Sequence, residues 1–162
     1  MSILILVTGG TFDKEYDEIN GNLYFKQTHV PEMLRLGRCT VDIDVRTLMM
    51  IDSLEMKEKD RKMIIDYCYE CEPKKIVITH GTDTMAETAR ALGNAGLEKT
   101  IILTGAMIPY KFGSSDGFFN LGNAIAFAGT LPHGVYVAMN GRYFHWQNVR
   151  KNKGTGVFEE LD

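Results

Sequence analysis

The chain is poor in cysteine, with only Cys39, Cys68 and Cys71 in 162 residues. So sparse and odd a set excludes a disulfide framework of the secreted type. No charge of one sign dominates. Lys and Arg number 18 against 21 Asp and Glu, a net charge of -3. The basic residues are dispersed and leave no footprint for nucleic acid or an anionic membrane. Long hydrophobic runs are missing as well. The first segment is apolar only from Ile3 to Val7, with no basic leader and no cleavage-site pattern, so it reads as neither a signal peptide nor a membrane span. Repeats and low-complexity tracts are absent. These absences predict a soluble protein of the cytoplasm, with no nucleic-acid or membrane partner. The length and a hydrophobic content of 44% suffice for one domain with its own core, spanning residues 1–162.

What is present is a pattern used three times. A short run rich in β-branched residues meets a threonine and then a glycine turn: Ile3 to Thr8 before Gly9-Gly10-Thr11, Lys75 to Thr79 before His80-Gly81-Thr82-Asp83-Thr84, and Thr100 to Thr104 before Gly105-Ala106-Met107. Buried parallel strands have this composition, and in such sheets ligands bind beyond the carboxyl ends of the strands. The pattern therefore aims three hydroxyl- and glycine-rich loops at one crevice. Threonines, backbone amides and one Asp point to acyl chemistry more than to redox chemistry.

The remaining segments alternate between strand and helix signals. A first strand covers about Ser2 to Thr8. The polar stretch Gly9 to Gln27 predicts a long loop, with a small hairpin near Leu23-Tyr24-Phe25, and loops of that length are commonly functional lids. Val30 to Leu36 predicts a short helix with Pro31 in its first turn. Thr40 to Leu48 alternates Val41, Ile43 and Val45 with Asp42, Asp44 and Arg46, which is strand periodicity. A helix is expected from Met56 to Cys71 with Met63, Ile64, Tyr67, Cys68 and Cys71 inward, stopped by Pro73. Strand Lys75 to Thr79, helix Asp83 to Ala95 with Gly96 as its C′ residue, strand Thr100 to Thr104, helix Phe118 to Thr130 with Leu121, Ile125 and Ala128 inward, and strand Val135 to Met139 follow. The tail from Asn140 reads as less regular. This alternation predicts an α/β fold: a doubly wound, mostly parallel sheet with helices on both faces.

Gly9-Gly10 does not make a dinucleotide site, because the chain lacks the GxGxxG pattern opening a helix, and no GxxxxGK[ST] loop exists. Acyl transfer needs a nucleophile, a means to deprotonate it and oxyanion donors. Thr11 follows a double glycine whose amides can approach a ligand closely. Thr82 and Asp83 lie on a parallel loop two strand-ends away. A lysine held beside them in a dry site would give up its proton more easily and could serve as base. Ordinary turn chemistry accounts for the same residues, with Thr82 or Asp83 as the N-cap of the next helix. Cys68-Tyr69-Glu70-Cys71 has CxxC spacing. Without a second pair or a nearby His-x-x-x-His, two small apolar residues on an inner helix face is the favoured reading over a redox or zinc pair.

Thr8-Gly9-Gly10-Thr11 and His80-Gly81-Thr82-Asp83-Thr84-Met85, with Glu87-Thr88-Ala89 after it, resemble the two signatures of the bacterial-type L-asparaginase family. The likeness continues through Asp52-Ser53, Thr104-Gly105-Ala106-Met107, Asp116-Gly117, Asn120-Leu121 and Asn148-Val149-Arg150-Lys151, and so covers essentially the whole chain. It implies a flavodoxin-like N-terminal domain and cleavage of the side-chain amide of L-asparagine, or of L-glutamine, to the acid and ammonia. The alternative is a module that binds asparagine or aspartate with little turnover.

The resemblance further implies residue roles. Thr11 is the primary nucleophile. Thr82, Asp83 and Lys151 form a second group, with Lys151 deprotonating Thr82 and Asp83 binding the α-ammonium. Ser53, beside Asp52, holds the α-carboxylate. Gly10, Gly81 and Ala106 line the substrate. A tyrosine of the loop after Thr11 activates the nucleophile; Tyr16 is the choice and Tyr24 the rival. No metal and no organic cofactor is implied. Most family members carry a second domain of comparable size. Since this sequence stops at Asp162, the resemblance implies the short single-domain form, with a homo-oligomer, dimer or tetramer, walling the site.

Overall fold

In the computed structural model, which describes residues 1–161, the strands are β1 (Ser2–Gly9), β2 (Lys14–Asp17), β3 (Asn22–Phe25), β4 (Asp42–Ile51), β5 (Lys75–Thr79), β6 (Thr100–Thr104), β7 (Gly134–Met139), β8 (Arg142–His145), β9 (Arg150–Lys151) and β10 (Phe158–Glu159). The helices are α1 (Val30–Leu36), α2 (Glu58–Glu70), α3 (Met85–Asn94) and α4 (Gly117–Thr130). The main sheet has the order β4-β1-β5-β6-β7-β8, parallel except for β8, which pairs antiparallel with β7. Counting only the parallel strands, the order is second, first, third, fourth, fifth. That is the flavodoxin-like winding, with its switch point between β1 and β5.

The near-continuous apolar runs of β1, β5 and β6 follow from burial on both faces. Alternate residues of β1 go to different cores. Leu4 and Leu6 join Ile76, Ile78, Leu103 and Val137 on one face, under Ile64 and Cys68 of α2 and Met85, Ala89 and Leu92 of α3. Ile3, Ile5 and Val7 join Val77, Ile102 and Ala138 on the other, under Val30 and Met33 of α1 and Leu121, Ala124 and Ala128 of α4. Two of the expected strand-end hydroxyls serve the sheet itself. Thr8 Oγ1 donates to the Thr79 carbonyl at 2.6 Å and Thr104 Oγ1 to the Ala138 carbonyl at 2.8 Å.

Several boundaries differ from the sequence pattern. β4 runs on to Ile51 because the whole edge of β1 is available to pair with it, ending in Gly9 opposite Ile51 after a bulge. α2 starts at Glu58, where Asp60 Oδ2 accepts the Lys57 amide at 2.8 Å and closes the first turn. Met63, expected inward, is 49% exposed, while Arg61 is buried. The Arg61 guanidinium reaches Thr88 Oγ1 and Glu58 and lies 3.4 Å from Glu87 Oε2, so the charge has carboxylate partners at an inward position that the apolar pattern did not mark. α3 begins at Met85 with Thr84 in the N-cap position and no side-chain cap. Thr82 and Asp83 therefore do not cap it. Gly96 follows the C-cap with φ 64°, as expected. The tail is more ordered than its pattern indicated: β8 adds an edge strand and β9 pairs with β10 as a small ribbon. No helix among the described residues is long and apolar enough to cross a membrane.

Candidate active site

The loops after β1 and β5 leave the sheet side by side, because these strands are neighbours. Thr82 and Asp83, expected two strand-ends from Thr11, lie on the loop next to it, because the sheet order sets β5 beside β1. They touch backbone to backbone. A Cβ on Gly10 would overlap the Gly81 amide and the His80 carbonyl carbon, and Gly10 has φ 82°. Glycine is thus required there twice, for its dihedral and for the close approach. Thr11 and Thr82 each follow a glycine of this contact, so the fold brings the two threonine-bearing turns to one point. Thr11 is half-buried in a short 3₁₀ turn, Thr11–Asp13. The Gly10 amide donates to the Ile51 carbonyl at 3.0 Å.

Lys151 arrives from the far end of the chain. Its Nζ donates to Thr82 Oγ1 at 2.8 Å and to Asp83 Oδ1 at 3.0 Å. The lysine side chain is 11% exposed and Asp83 37%. Lys151 is positioned by the ribbon: β9 pairs with β10, and Asn140 Oδ1, at the end of β7, accepts the Phe158 amide at 2.9 Å. Ser53 is buried at the end of β4, where its Oγ accepts the Thr84 amide at 3.3 Å and its carbonyl accepts the Thr84 hydroxyl at 2.9 Å. Ala106 is buried at the turn after β6. That turn is held by Asp116, which accepts the amides of Met107 and Ile108, and by Asn120, which donates to the Gly105 carbonyl.

The long loop after Thr11 is a hairpin, β2 paired with β3, somewhat larger than expected. Lys14 lies opposite Phe25, Glu15 opposite Tyr24 and Tyr16 opposite Leu23. Strand alternation therefore sets Lys14 and Tyr16 on one face and Glu15 and Tyr24 on the other. Lys14 Nζ bonds Asp52 Oδ2 at 2.5 Å, beside Ser53, whereas Glu15 Oε2 approaches His29 Nε2 at 3.7 Å. Tyr16 thus shares the face that meets Asp52-Ser53, and Tyr24 the face turned to α1. Tyr16 is 57% exposed. A second anchor at the hairpin base is Asp13, fully buried, whose Oδ1 accepts the His29 amide at 2.9 Å.

Three titrating groups respond to this setting. The Lys14 ammonium holds the Asp52 carboxyl below the usual range. Burial raises that of Asp13, against the lowering effect of the His29 amide. His80 is wholly buried and pushed down to about 4 by that burial. Its Nδ1 lies 2.7 Å from the Gly81 carbonyl and its Nε2 2.8 Å from Thr88 Oγ1. A carbonyl only accepts, so the proton sits on Nδ1 and Nε2 accepts from Thr88, which in turn accepts from Arg61 Nε at 3.1 Å. This chain pins the peptide preceding Thr82. Lys14, Asp13, His80 and Arg61 were missed as site-supporting residues. Asp13 ends the Thr11 turn and Lys14 follows it, and two adjacent charged residues there were the available signal.

Fold and site together define a doubly wound α/β protein with a hydroxyl–ammonium–carboxylate group at its switch point. The family described as Asparaginase, N-terminal, matches residues 2–158, and the chain belongs to it. The L-asparaginase of Thermococcus kodakarensis is 31% identical over 169 residues, covering 100% of this chain and 52% of that protein. Its solved structure superposes with a TM-score of 0.87 at 30% identity over 99% of this chain and 51% of that one. L-asparaginase 1 of Escherichia coli K12 is 33% identical over 165 residues, 96% of this chain and 48% of that protein. The structure of a probable cytoplasmic L-asparaginase from Campylobacter jejuni gives a TM-score of 0.86 at 30% identity, covering 99% of this chain and 53% of that one. The chain spans about half the length of these relatives.

Proposed function

We propose that this protein is an amidohydrolase that converts L-asparagine to L-aspartate and ammonia through a threonine acyl-enzyme. The observation that carries the reading is Lys151 bonded at once to Thr82 and Asp83, set against the Thr11 turn by the Gly10–Gly81 contact. A binding module needs only the groups that grip the substrate's α-carbon substituents. A buried hydroxyl with a lysine nitrogen on it is equipment for proton transfer.

In the proposed reaction Thr11 Oγ1 adds to the side-chain amide carbon while its proton passes to the Tyr16 hydroxyl, which hands its own proton to the amide nitrogen, the hairpin closing over the substrate. The Gly10 amide is committed to Ile51, so the oxyanion donor we assign at this turn is the amide of Thr11, an interaction whose loss costs on the order of 3 kcal/mol in such sites. Ammonia leaves with that proton and the acyl ester forms on Thr11; water held at Thr82–Lys151 then adds to the ester carbon, one of its protons passing to the Thr11 oxygen as the ester bond breaks, which releases aspartate and restores the hydroxyl. Asp83 takes the α-ammonium and Ser53 the α-carboxylate. Asp52, tied to Lys14, fixes Ser53 in place, and Gly10, Gly81 and Ala106 form the walls. No step calls on a metal or an organic cofactor. L-Glutamine is the alternative substrate, longer by one methylene. The three free thiols fit a reducing cytoplasm, and a homo-oligomer, dimer or tetramer, would cover the half-open site.

Ammonia release from L-asparagine, L-glutamine and D-asparagine, native chain against Thr11→Ala, tests the reading. Release from L-asparagine that vanishes in the variant supports it. No release from any of the three, with asparagine or aspartate still raising the melting temperature, would replace it with the binding module.

A further inference from the structure

Cys71 and Lys99 meet at the opposite pole of the sheet from the crevice, at the end of α2 and just before β6. Lys99 is only 4% exposed. Its ammonium donates to the Cys71 carbonyl and lies 3.3 Å from Cys71 Sγ. Both of its described polar partners are therefore on one cysteine. No carboxylate among the described residues bonds this ammonium, which leaves the Cys71 sulfur in direct contact with the lysine nitrogen. Cys71 is half-buried and reachable: a surface cavity of about 450 Å³ is lined by Cys71 together with Tyr67, Glu70 and Arg46.

The neighbouring thiol is of a different kind. Cys68 is fully buried in the α2 core, and that burial pushes it up to about 12, with Cys71 adding to the effect and Lys99 opposing it. It is poorly suited to attack an oxidised partner, because thiol exchange runs through the thiolate. The CxxC spacing thus hides an asymmetry, with one core hydrophobe and one sulfur paired with an amine.

We propose that Cys71 and Lys99 form a peroxide-responsive cross-link, a sulfenamide joining the end of α2 to the start of β6. The oxidant is hydrogen peroxide. The Cys71 thiol passes its proton to the Lys99 nitrogen and its sulfur attacks one peroxide oxygen, the O–O bond breaks, and the departing hydroxide takes a proton from the Lys99 ammonium to leave as water. The freed amine then attacks the sulfenic sulfur. An S–N bond forms, the S–O bond breaks, and the second oxygen leaves as water with a proton from nitrogen. One thiol, one amine and one peroxide give one sulfenamide and two waters. Sulfenic acids condense in this way with nitrogen nucleophiles as well as with thiols. Two equivalents of an added thiol reverse the step, returning Cys71 and Lys99 and leaving a disulfide of the reductant.

The test is peptide mass spectrometry of the native chain after hydrogen peroxide, beside Lys99→Arg and Cys71→Ser. The expected result is a peptide joining Cys71 to Lys99 with net loss of two hydrogens, cleaved by dithiothreitol and absent from both variants. In Lys99→Arg, which keeps the charge but removes the amine, a dimedone probe should capture Cys71 as sulfenic acid in greater yield than in the native chain. A Cys68–Cys71 disulfide, a Cys71 carried on to sulfinic acid, or an unmodified Cys71 in the native chain would each overturn the proposal. The measurement does not depend on hydrolase activity.

Discussion

Lys151 Nζ stands 2.8 Å from Thr82 Oγ1 although 69 residues separate the two in the chain. The contact joins a ribbon at the end of the sequence to the loop after β5, and no local pattern prescribes it. If it serves proton transfer, Lys151→Met will cut kcat by about 10²- to 10⁴-fold, the usual worth of such a group. The melting temperature should stay near the native value, since the methylene stem is kept and only a partly exposed ion pair is lost. Steady-state ammonia release together with a thermal melt reads both. A kcat within threefold of native, in a folded variant, would show that the lysine is not needed.

Gly10→Ala should damage the fold as well as the site. The new Cβ would overlap backbone of the neighbouring loop, and the φ of 82° is unfavourable for alanine. Backbone atoms cannot rotate aside, so the expected loss is on the order of 2 kcal/mol or more, read by urea denaturation. Gly96→Ala is the comparison. It has a similar φ of 64° but nothing near the added carbon, and should cost less.

The two hairpin tyrosines are separated by strand alternation. Tyr16 shares the face of Lys14, which reaches Asp52. Tyr24 shares the face of Glu15, which approaches His29. Tyr16→Phe is expected to lower kcat by about 10²-fold or more, while Tyr24→Phe leaves it nearly unchanged. The reverse order in single-substitution kinetics would reassign the role.

Acid sensitivity should carry the mark of His80. Its value falls from 6.5 to about 4 on folding because burial disfavours the imidazolium. Between those values the unfolded chain binds the additional proton, so stability rises with pH across the window. The contribution is complete above 6.5 and is lost as pH falls through the window toward 4. Its size is on the order of 3 kcal/mol. His80→Gln removes the titration, and urea midpoints measured from pH 4 to 7 should flatten relative to the native chain. A parallel pair of curves would count against it.

The doubly wound class was legible because burial on both faces leaves a local trace. Ile3 to Val7, Ile76 to Ile78 and Ile101 to Leu103 read as continuous apolar strands for the same reason that they sit at the sheet's centre. The edge strand β8 was not legible. Arg142, Tyr143 and His145 are exposed and only Phe144 is buried, so hydrophobicity gives little signal, and the strand exists because β7 has a free edge. Arg61 misled in the opposite way: a charged residue entered the interior because Thr88 and Glu58 lay within its reach.

At the candidate site the sequence by itself determined the components. Gly9-Gly10-Thr11 and Gly81-Thr82-Asp83 close their strands with turns that glycine alone permits, and their chemistry can be read residue by residue. Only the tertiary structure decided what these components meet. Placing β5 beside β1 made the two turns neighbours, and the β9–β10 ribbon brought Lys151 to Thr82. The hairpin set Lys14 on Asp52, and the far pole put Lys99 against Cys71. Periodicity reports how each segment faces water or core, a local property. Which side chains touch across tens of residues follows from strand order and from packing, and those are settled only when the whole chain closes on itself.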